Sequence, residues 1–141
     1  MKMNNIEDIF EFQLADLREI PIDNFAYIGD AVIGLIYKVK LLGDGRVKTR
    51  TVYENSKKFL SAKAHSRFID LIYEEFTDTE KQYYKRAVNS NGAKKRGNDN
   101  EYRKSTGFEA VIGYLFLTKN YERIKELLGV IDSCMSMEET Y

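Results

Sequence analysis

The sequence is poor in the residues on which several classes of protein depend. Its 141 residues include one cysteine, one proline, one histidine and no tryptophan. The lone Cys134 cannot form a disulfide within the chain, and it excludes a zinc cluster built from the cysteines of one subunit. The scarcity of proline, together with 43% hydrophobic residues, argues against a disordered or proline-rich chain. We therefore expect a single compact domain over residues 1–141, with 1–20 and 133–141 at its periphery.

The sequence also lacks a long apolar run. A membrane-spanning helix needs about 18 to 20 apolar residues in succession, and Asp30, Lys38 and Lys40 interrupt the longest candidate. Acidic residues interrupt the early apolar positions of residues 1–11, so no signal peptide is recognisable there. We expect a cytoplasmic protein with no membrane partner.

The charges balance overall but are unevenly distributed. The chain has 22 basic and 22 acidic residues. Residues 1–30 carry seven acids and two bases, a net charge of −5, whereas residues 81–104 carry eight bases and two acids, a net charge of +6. A basic segment of this kind is either a solvated surface or a contact for nucleic-acid phosphates, and charge alone does not decide between the two.

Apolar residues recur at helical spacing along most of the chain, so the sequence predicts an all-α protein. The predicted helices lie over residues 6–17, from Pro21 to Leu42, in two segments between 46 and 68 that are broken near Ser61, over 78–89, over 103–118 and after Asn120. Asp23 or Asn24 is expected to cap the helix after Pro21, and Ser61 the second of the two short segments. Thr77-Asp78-Thr79-Glu80 has the spacing of a capping box.

Two stretches are predicted to be irregular. Residues 91–102 are polar, with Gly92, Gly97 and three consecutive bases, so we expect a loop without an apolar anchor that is mobile when nothing is bound. The tail after Cys134 is expected to fray.

Two carboxylates lie inside the most apolar segments. Asp30 and Glu109 are each followed by Ala-Val-Ile-Gly. On helices, Asp30 would share a face with Gly34, and Glu109 with Gly113. Small residues let two backbones approach, so the sequence predicts crossing core helices that hold both carboxylates where water is scarce. Like charges resist such an arrangement unless a cation joins them.

The residue types limit which cation this can be. One histidine cannot supply the paired Glu-x-x-His motifs of two-metal helical bundles, which leaves oxygen ligands and favours Mg²⁺ held together with substrate phosphate oxygens. His65 is expected to be a surface or packing residue. If the first helix already covers Asp23, this residue adds a third acid near the face of Asp30. The alternative for Asp30 and Glu109 is that each pairs with a basic residue and fixes helix register.

The residues around both acids resemble a known family. Ala-Tyr-Ile-Gly-Asp-Ala at 26–31, together with Tyr-Arg-Lys-Ser-Thr-Gly-Phe-Glu-Ala-Val-Ile-Gly-Tyr-Leu-Phe-Leu at 102–117, closely resembles Mini-ribonuclease III, and Ser-Ala-Lys at 61–63 adds to the match. The resemblance covers roughly residues 24–128. It implies a single ribonuclease III-like helical domain that lacks a separate double-stranded-RNA-binding domain. It also implies a homodimer that trims precursor 23S ribosomal RNA with Mg²⁺ in the bacterial cytoplasm and leaves 5′-phosphates.

The resemblance carries over to individual residues. It implies that Asp30 and Glu109 are the catalytic, Mg²⁺-binding acids. Helix geometry, rather than the resemblance, leaves Asp23 as a further possible ligand. Ala26 and Thr106 stand where larger ribonuclease III enzymes have additional acids. The candidate RNA contacts are Lys57, Lys58, Lys63, Arg86, Lys94, Lys95, Arg96, Arg103 and Lys104. An assisting ribosomal protein is left open, and the alternative function is a non-catalytic dimer that binds structured RNA in ribosome assembly.

Overall fold

All regular structure in the described part of the chain is helical. A computed structural model describes residues 9, 10 and 12–140, with side chains as far as 136. The helices are α1 (Ile22–Leu41), α2 (Thr49–Leu60), α3 (Ala62–Ile72), α4 (Asp78–Val88), α5 (Asn91–Lys94), α6 (Asn100–Leu117) and α7 (Tyr121–Thr140). Short 3₁₀ turns precede α1 and follow α3. The predicted all-α class is confirmed.

Helix α6 forms the centre of the fold. It packs against α1, α3, α4, α5 and α7, and Phe108, Val111 and Ile112 are fully buried along it. The helix begins at Asn100, three residues before the predicted start, because the Asp99 carboxylate caps it by accepting a hydrogen bond of 3.0 Å from the Tyr102 amide. Other elements are thus arranged around one largely buried helix, which carries Glu109.

The backbones of α1 and α6 touch where the two helices cross. A Cβ atom added at Gly29 would lie 1.7 Å from the Glu109 carbonyl oxygen, and one added at Gly113 would lie 1.8 Å from the Phe25 carbonyl oxygen. No side chain fits at either position. The predicted crossing is confirmed, but the choice of Gly34 was wrong, since a Cβ there would meet no described atom within 4 Å.

Local capping signals were read correctly at two of three helices. The Ser61 hydroxyl accepts a 3.0 Å bond from the Ala64 amide at the start of α3, and Thr77 and Glu80 form the reciprocal capping box of α4. At α1 the prediction was wrong. The helix starts behind Pro21 without a side-chain cap, and Asp23 lies inside its first turn. Proline presets the helical φ and has no amide hydrogen to satisfy, so it can begin a helix alone.

The two ends of the chain differ from expectation. Part of the predicted helix over 6–17 falls on residues 6–8 and 11, which lie outside the described residues. Residues 12–16 are not helical, and a single turn follows at Leu17–Glu19. Phe10 instead meets Phe116 at the end of α6, with ring centroids 5.6 Å apart. At the other end, α7 continues to Thr140 rather than fraying after Cys134.

The predicted polar loop over 91–102 contains a helical turn and an apolar anchor. In α5 the Ser90 hydroxyl accepts a 3.1 Å bond from the Ala93 amide, and Ala93 is fully buried. The expectation of a loop without an anchor was therefore wrong. A helix of four residues leaves no periodicity to detect, and a single alanine does not stand out as an apolar anchor.

No helix among the described residues has the length and apolar character that crossing a membrane requires.

Candidate active site

Asp30, His65 and Glu109 converge from three different helices. One potential ligand atom from each residue lies within 4.8 Å of the other two. Asp30 is exposed, Glu109 is partly covered, and His65 is fully buried. The cluster is therefore accessible to solvent on the side of α1 and buried on the side of α3.

The meeting of the two acids follows from the glycine crossing. Gly29 directly precedes Asp30, and the atom closest to a Cβ at Gly29 is the carbonyl oxygen of Glu109 itself. The backbones that carry the two acids are therefore in contact at this point. The prediction that the two carboxylates lie together is confirmed, but the expectation that both lie where water is scarce was wrong for Asp30, which is exposed.

Neither acid is paired with a lysine or arginine in the described ranges. Glu109 pairs with His65, whose Nδ1 lies 2.8 Å from Oε2, and the ion pairs to lysine or arginine found within the described residues involve other carboxylates. This finding speaks against the alternative in which each acid fixes helix register through a base.

The environment of Glu109 disfavours its charged form. Burial raises the pKa of the Glu109 carboxyl above its ordinary value, and the charge of Asp30 raises it further; the hydrogen bond with His65 lowers it, as does the charge of that ring whenever it is protonated. A cation placed between the carboxylates would relieve both unfavourable effects. Two carboxylates at the edge of solvent are a donor set that suits a hard divalent ion.

His65 is the site residue that sequence reasoning missed. It was expected to be a surface or packing residue, yet it is fully buried and bonded to Glu109. One signal was available, because His65, Phe68, Ile69 and Ile72 recur at the spacing of one helical face, and that face is the buried side of α3. Periodicity could place the imidazole in the core but could not show its partner 44 residues away.

Asp23 stands apart from the cluster formed by Asp30, His65 and Glu109. It lies two turns before Asp30 on α1, and its carboxylate sits against Gly92 of α5, where an added Cβ would be 2.6 Å from Oδ1. The two positions at which larger ribonuclease III enzymes have further acids are closed off. Ala26 and Thr106 are both buried, and the Thr106 hydroxyl donates to the Tyr102 carbonyl at 2.9 Å.

Most of the candidate RNA contacts are exposed. The seven exposed bases are Lys57, Lys58, Lys63, Arg86, Lys94, Lys95 and Arg96. Arg103 and Lys104 are only partly exposed and have partners within the protein. Lys104 Nζ lies 2.5 Å from an Asp70 carboxylate oxygen.

Arg103 ties together both ends of the basic segment that includes α5. Its Nε donates to the Val88 carbonyl at 2.8 Å, one terminal nitrogen donates to the Asn98 side-chain oxygen at 3.0 Å, and the other to the Asn89 side-chain oxygen at 3.1 Å. Asn98 has a positive φ of 63°, a conformation that asparagine tolerates better than most residues. The guanidinium thus holds residues 89 and 98 at the base of a closed loop that presents Lys94, Lys95 and Arg96.

Comparison with known proteins defines the class to which this fold and site belong. Residues 23–120 match the sequence model of the Ribonuclease III domain. A crystal structure of a Fusobacterium nucleatum protein superimposes with a TM-score of 0.76 at 26% identity, over 86% of this chain and 99% of that one. The chain therefore has the fold of a ribonuclease III catalytic domain.

Curated relatives narrow this class further. The chain is 31% identical to the Mini-ribonuclease 3 of Kosmotoga olearia over 95% of its own length and 92% of that protein. It is 41% identical to the Mini-ribonuclease 3 of Streptococcus pneumoniae, with 74% and 84% covered. The chain belongs to the Mini-ribonuclease 3 family and is an endoribonuclease. The resemblance identified from the sequence is confirmed.

Proposed function

We propose that this protein is a Mg²⁺-dependent homodimeric endoribonuclease that cleaves double-stranded RNA and matures the ends of precursor 23S ribosomal RNA in the bacterial cytoplasm. The observation that carries the proposal is the approach of the Asp30 and Glu109 carboxylates, one of them at the solvent edge and neither paired with lysine or arginine within the described ranges. The choice of 23S precursor rests on family membership.

The metal would be held by Asp30 and Glu109. Mg²⁺ commonly takes one or two carboxylates and completes its shell with water and substrate phosphate oxygens, so such a site is strengthened when the phosphate arrives. The chemistry it supplies when bound is activation of a water toward a backbone phosphate and stabilisation of charge on the leaving 3′ oxygen, which leaves a 5′-phosphate. The side chains on the buried side of the site limit water and strengthen these electrostatic interactions.

The exposed bases supply the means of holding RNA. Double-stranded RNA is recognised mainly through its backbone and 2′-hydroxyls, so a surface with separate lysines and arginines suits it without base-specific contacts. The seven exposed candidates come from α2, α3, α4 and the segment around α5. We expect affinity to depend steeply on salt and only weakly on sequence.

An apolar groove between α1 and α7 supports the homodimer. It has a volume of about 730 Å³, and Leu35 and Val39 on the same side of α1 are 59% and 57% exposed. A large exposed apolar patch of this kind marks an interaction surface. The groove is lined by Phe10, Ile28, Ala31, Val32, Leu35, Ile36, Lys40, Phe116, Tyr121, Ile124, Lys125, Leu128, Gly129 and Asp132.

A second copy of the chain is the occupant that we propose for this groove. Ala31 lines it and directly follows Asp30, so a partner seated there would lie beside the active site. A dimer with a two-fold axis has two identical copies of the site, one in each subunit. Two sites related in this way could cut both strands of one duplex.

The test is an RNA cleavage assay with matched variants. A duplex stem from precursor 23S RNA is incubated with protein and Mg²⁺, beside Asp30→Asn and Glu109→Gln variants whose helical circular dichroism matches the parent. We expect cutting by the parent, its loss in both variants and its loss with EDTA, while RNA retention on a filter persists. Retention without cutting by the parent would instead support the non-catalytic RNA-binding dimer.

A further inference from the structure

The buried His65 is oriented by two separate features of the fold. Ser61 fixes the start of α3 one turn earlier through its 3.0 Å cap, and the imidazole packs against both Phe68 and Phe108, with ring centroids 5.9 Å and 5.1 Å away. Its Nδ1 lies 2.8 Å from Glu109 Oε2. The ring therefore has little freedom to turn away from the acid.

The surroundings of His65 select one tautomer. Nε2 is buried and has no hydrogen-bond partner among the described residues, whereas Nδ1 faces a carboxylate oxygen, which can only accept when ionised. A proton on Nδ1 makes the hydrogen bond and leaves only a lone pair unsatisfied at Nε2. A proton on Nε2 would bury an unpaired N–H and turn the Nδ1 lone pair toward the carboxylate, which is less favourable on both counts.

We propose that His65 is a positioning residue of the active site, which donates from Nδ1 to Glu109 and so fixes the carboxylate beside Asp30. This inference rests on the proposed function of Glu109 as a metal ligand. Glutamate has several rotatable bonds, and ordering it costs conformational entropy. Partners that hold a ligating carboxylate typically affect metal affinity or activity by about 10-fold to 100-fold.

A direct role of His65 as a metal ligand is the competing assignment. The same nitrogen would then have to leave Glu109, and the other nitrogen lies on the buried, aromatic side. Mg²⁺ also prefers oxygen to imidazole nitrogen. The geometry thus favours the role through Glu109.

Two substitutions of similar size separate donation from packing. In His65→Asn the side-chain amide can donate from near the position of Nδ1, whereas His65→Leu fills the space without a donor. We expect the leucine variant to lose about 10-fold to 100-fold in cleavage rate or to need that much more Mg²⁺ for half-maximal activity. The asparagine variant should recover most of this loss. Unfolding temperatures of both variants show whether each one is folded under the assay conditions.

A second measurement does not depend on cleavage. Because the chain has one histidine, the two imidazole ¹⁵N signals of labelled protein belong to His65 without further assignment. We expect the metal-free parent to carry its proton on Nδ1 and to show an unprotonated Nε2. A protonated Nε2 with a bare Nδ1 would overturn the proposal.

The outcomes distinguish this inference from the proposed function. A parent that cuts no RNA refutes the nuclease proposal and, with it, the role of His65. If the parent cuts and the folded leucine variant cuts equally well at the same Mg²⁺ concentration, only the positioning role is refuted. Equal impairment of folded leucine and asparagine variants also refutes it, because the donor then makes no difference.

Discussion

Gly29 of α1 and Gly113 of α6 face each other so closely that a Cβ on Gly113 would lie 3.0 Å from the Gly29 backbone nitrogen. The atoms in the way are backbone atoms, which cannot move aside as a side chain does. An alanine at either position must push the two helices apart. The same movement would separate the elements that carry Asp30 and Glu109.

Gly29→Ala should therefore be severely destabilising. We expect a loss of about 3 kcal/mol or more in the free energy of unfolding, the upper end for overpacking, measured by urea denaturation. Gly34→Ala on the same helix is the matched control. A Cβ there meets no described atom within 4 Å, so it should stabilise by up to about 1 kcal/mol through helix propensity alone. Similar stabilities for the two variants would contradict the crossing.

The three consecutive bases at the carboxyl end of α5, Lys94 to Arg96, should contribute to RNA affinity through charge. If Lys94, Lys95 and Arg96 each contact a phosphate, replacing all three with glutamine should weaken binding and reduce the slope of log affinity against log salt by about 1 per lost contact. Binding to an RNA duplex over a range of KCl concentrations measures this slope. An unchanged slope would remove the segment from the RNA interface.

Arg103 should stabilise the folded conformation of the same segment through its hydrogen bonds to residues 88, 89 and 98. Arg103→Ala loses three hydrogen bonds, so we expect a stability loss of about 1 to 3 kcal/mol and faster amide hydrogen exchange at residues 94–98. Arg103→Lys should restore little of this, because a lysine cannot reproduce the planar fork. Lys95→Ala, at an exposed neighbouring base, serves as the control. Unchanged protection in both Arg103 variants would contradict the role of Arg103 in holding residues 89 and 98 together.

The apolar groove predicts the oligomeric state. Leu35→Glu places a charge in the proposed interface, and we expect about 30-fold weaker self-association, equivalent to about 2 kcal/mol. Light scattering during size-exclusion chromatography across protein concentrations measures it. Val47→Glu adds the same charge at an exposed residue that does not line the groove. A monomeric parent, or equal behaviour of both variants, would refute this interface.

The ion pair between Glu80 of α4 and Arg123 of α7, with oxygen and nitrogen atoms 3.0 Å apart, should make the stability of the protein depend on pH in the acid range. Burial acts to raise the pKa of Glu80, but the hydrogen bonds it accepts from Arg123 and Thr77 and the charge of Arg123 outweigh burial and lower it below 4.5. Because the pKa of Glu80 is lower in the folded state than in the unfolded state, its ionised carboxylate stabilises the protein at pH values above the unfolded-state pKa. This contribution is lost as the pH falls through the folded-state pKa. The free energy of unfolding should thus decline below about pH 4.5.

Glu80→Gln tests this dependence. The variant should lose part of the decline between pH 4.5 and pH 3, as measured by urea denaturation, because glutamine does not titrate in that range. Arg123→Ala should cost about 3 to 5 kcal/mol at neutral pH, since it leaves a buried carboxylate without its partner. If Glu80→Gln loses as much stability between pH 4.5 and pH 3 as the parent does, the pH dependence must come from other carboxyl groups.

Two of the features that sequence reasoning found correctly, the caps of α3 and α4, are local. The Ser61 cap and the Thr77 capping box depend on residues within three positions of each other, and the approach of Asp30 and Glu109 could be read from two similar segments rich in small residues. Even there, the residue in contact was Gly29 rather than Gly34, because exact helix rotation is set by packing rather than by spacing.

The features that it missed depend on distant partners. His65 meets Glu109 across 44 positions, and the role of Arg103 depends on the path of a loop that brings residues 89 and 98 together. The positive charge of Arg103 suggested a contact with RNA. The sequence could not show that its guanidinium donates to the Val88 carbonyl oxygen within the protein. Ala93 was overlooked because its burial follows from tertiary packing against neighbouring helices.

The glycine crossing also determines how Asp30 and Glu109 can move. At the crossing, backbone atoms of α1 and α6 are in direct contact, and backbone atoms cannot move aside by changing rotamer. The distance between the two helices therefore cannot change without disturbing the packing of the hydrophobic core. Of the two side chains, Asp30 is exposed and can adjust, whereas Glu109 is restrained by its hydrogen bond to His65. We therefore expect changes in substrate geometry to be accommodated mainly by the Asp30 side chain.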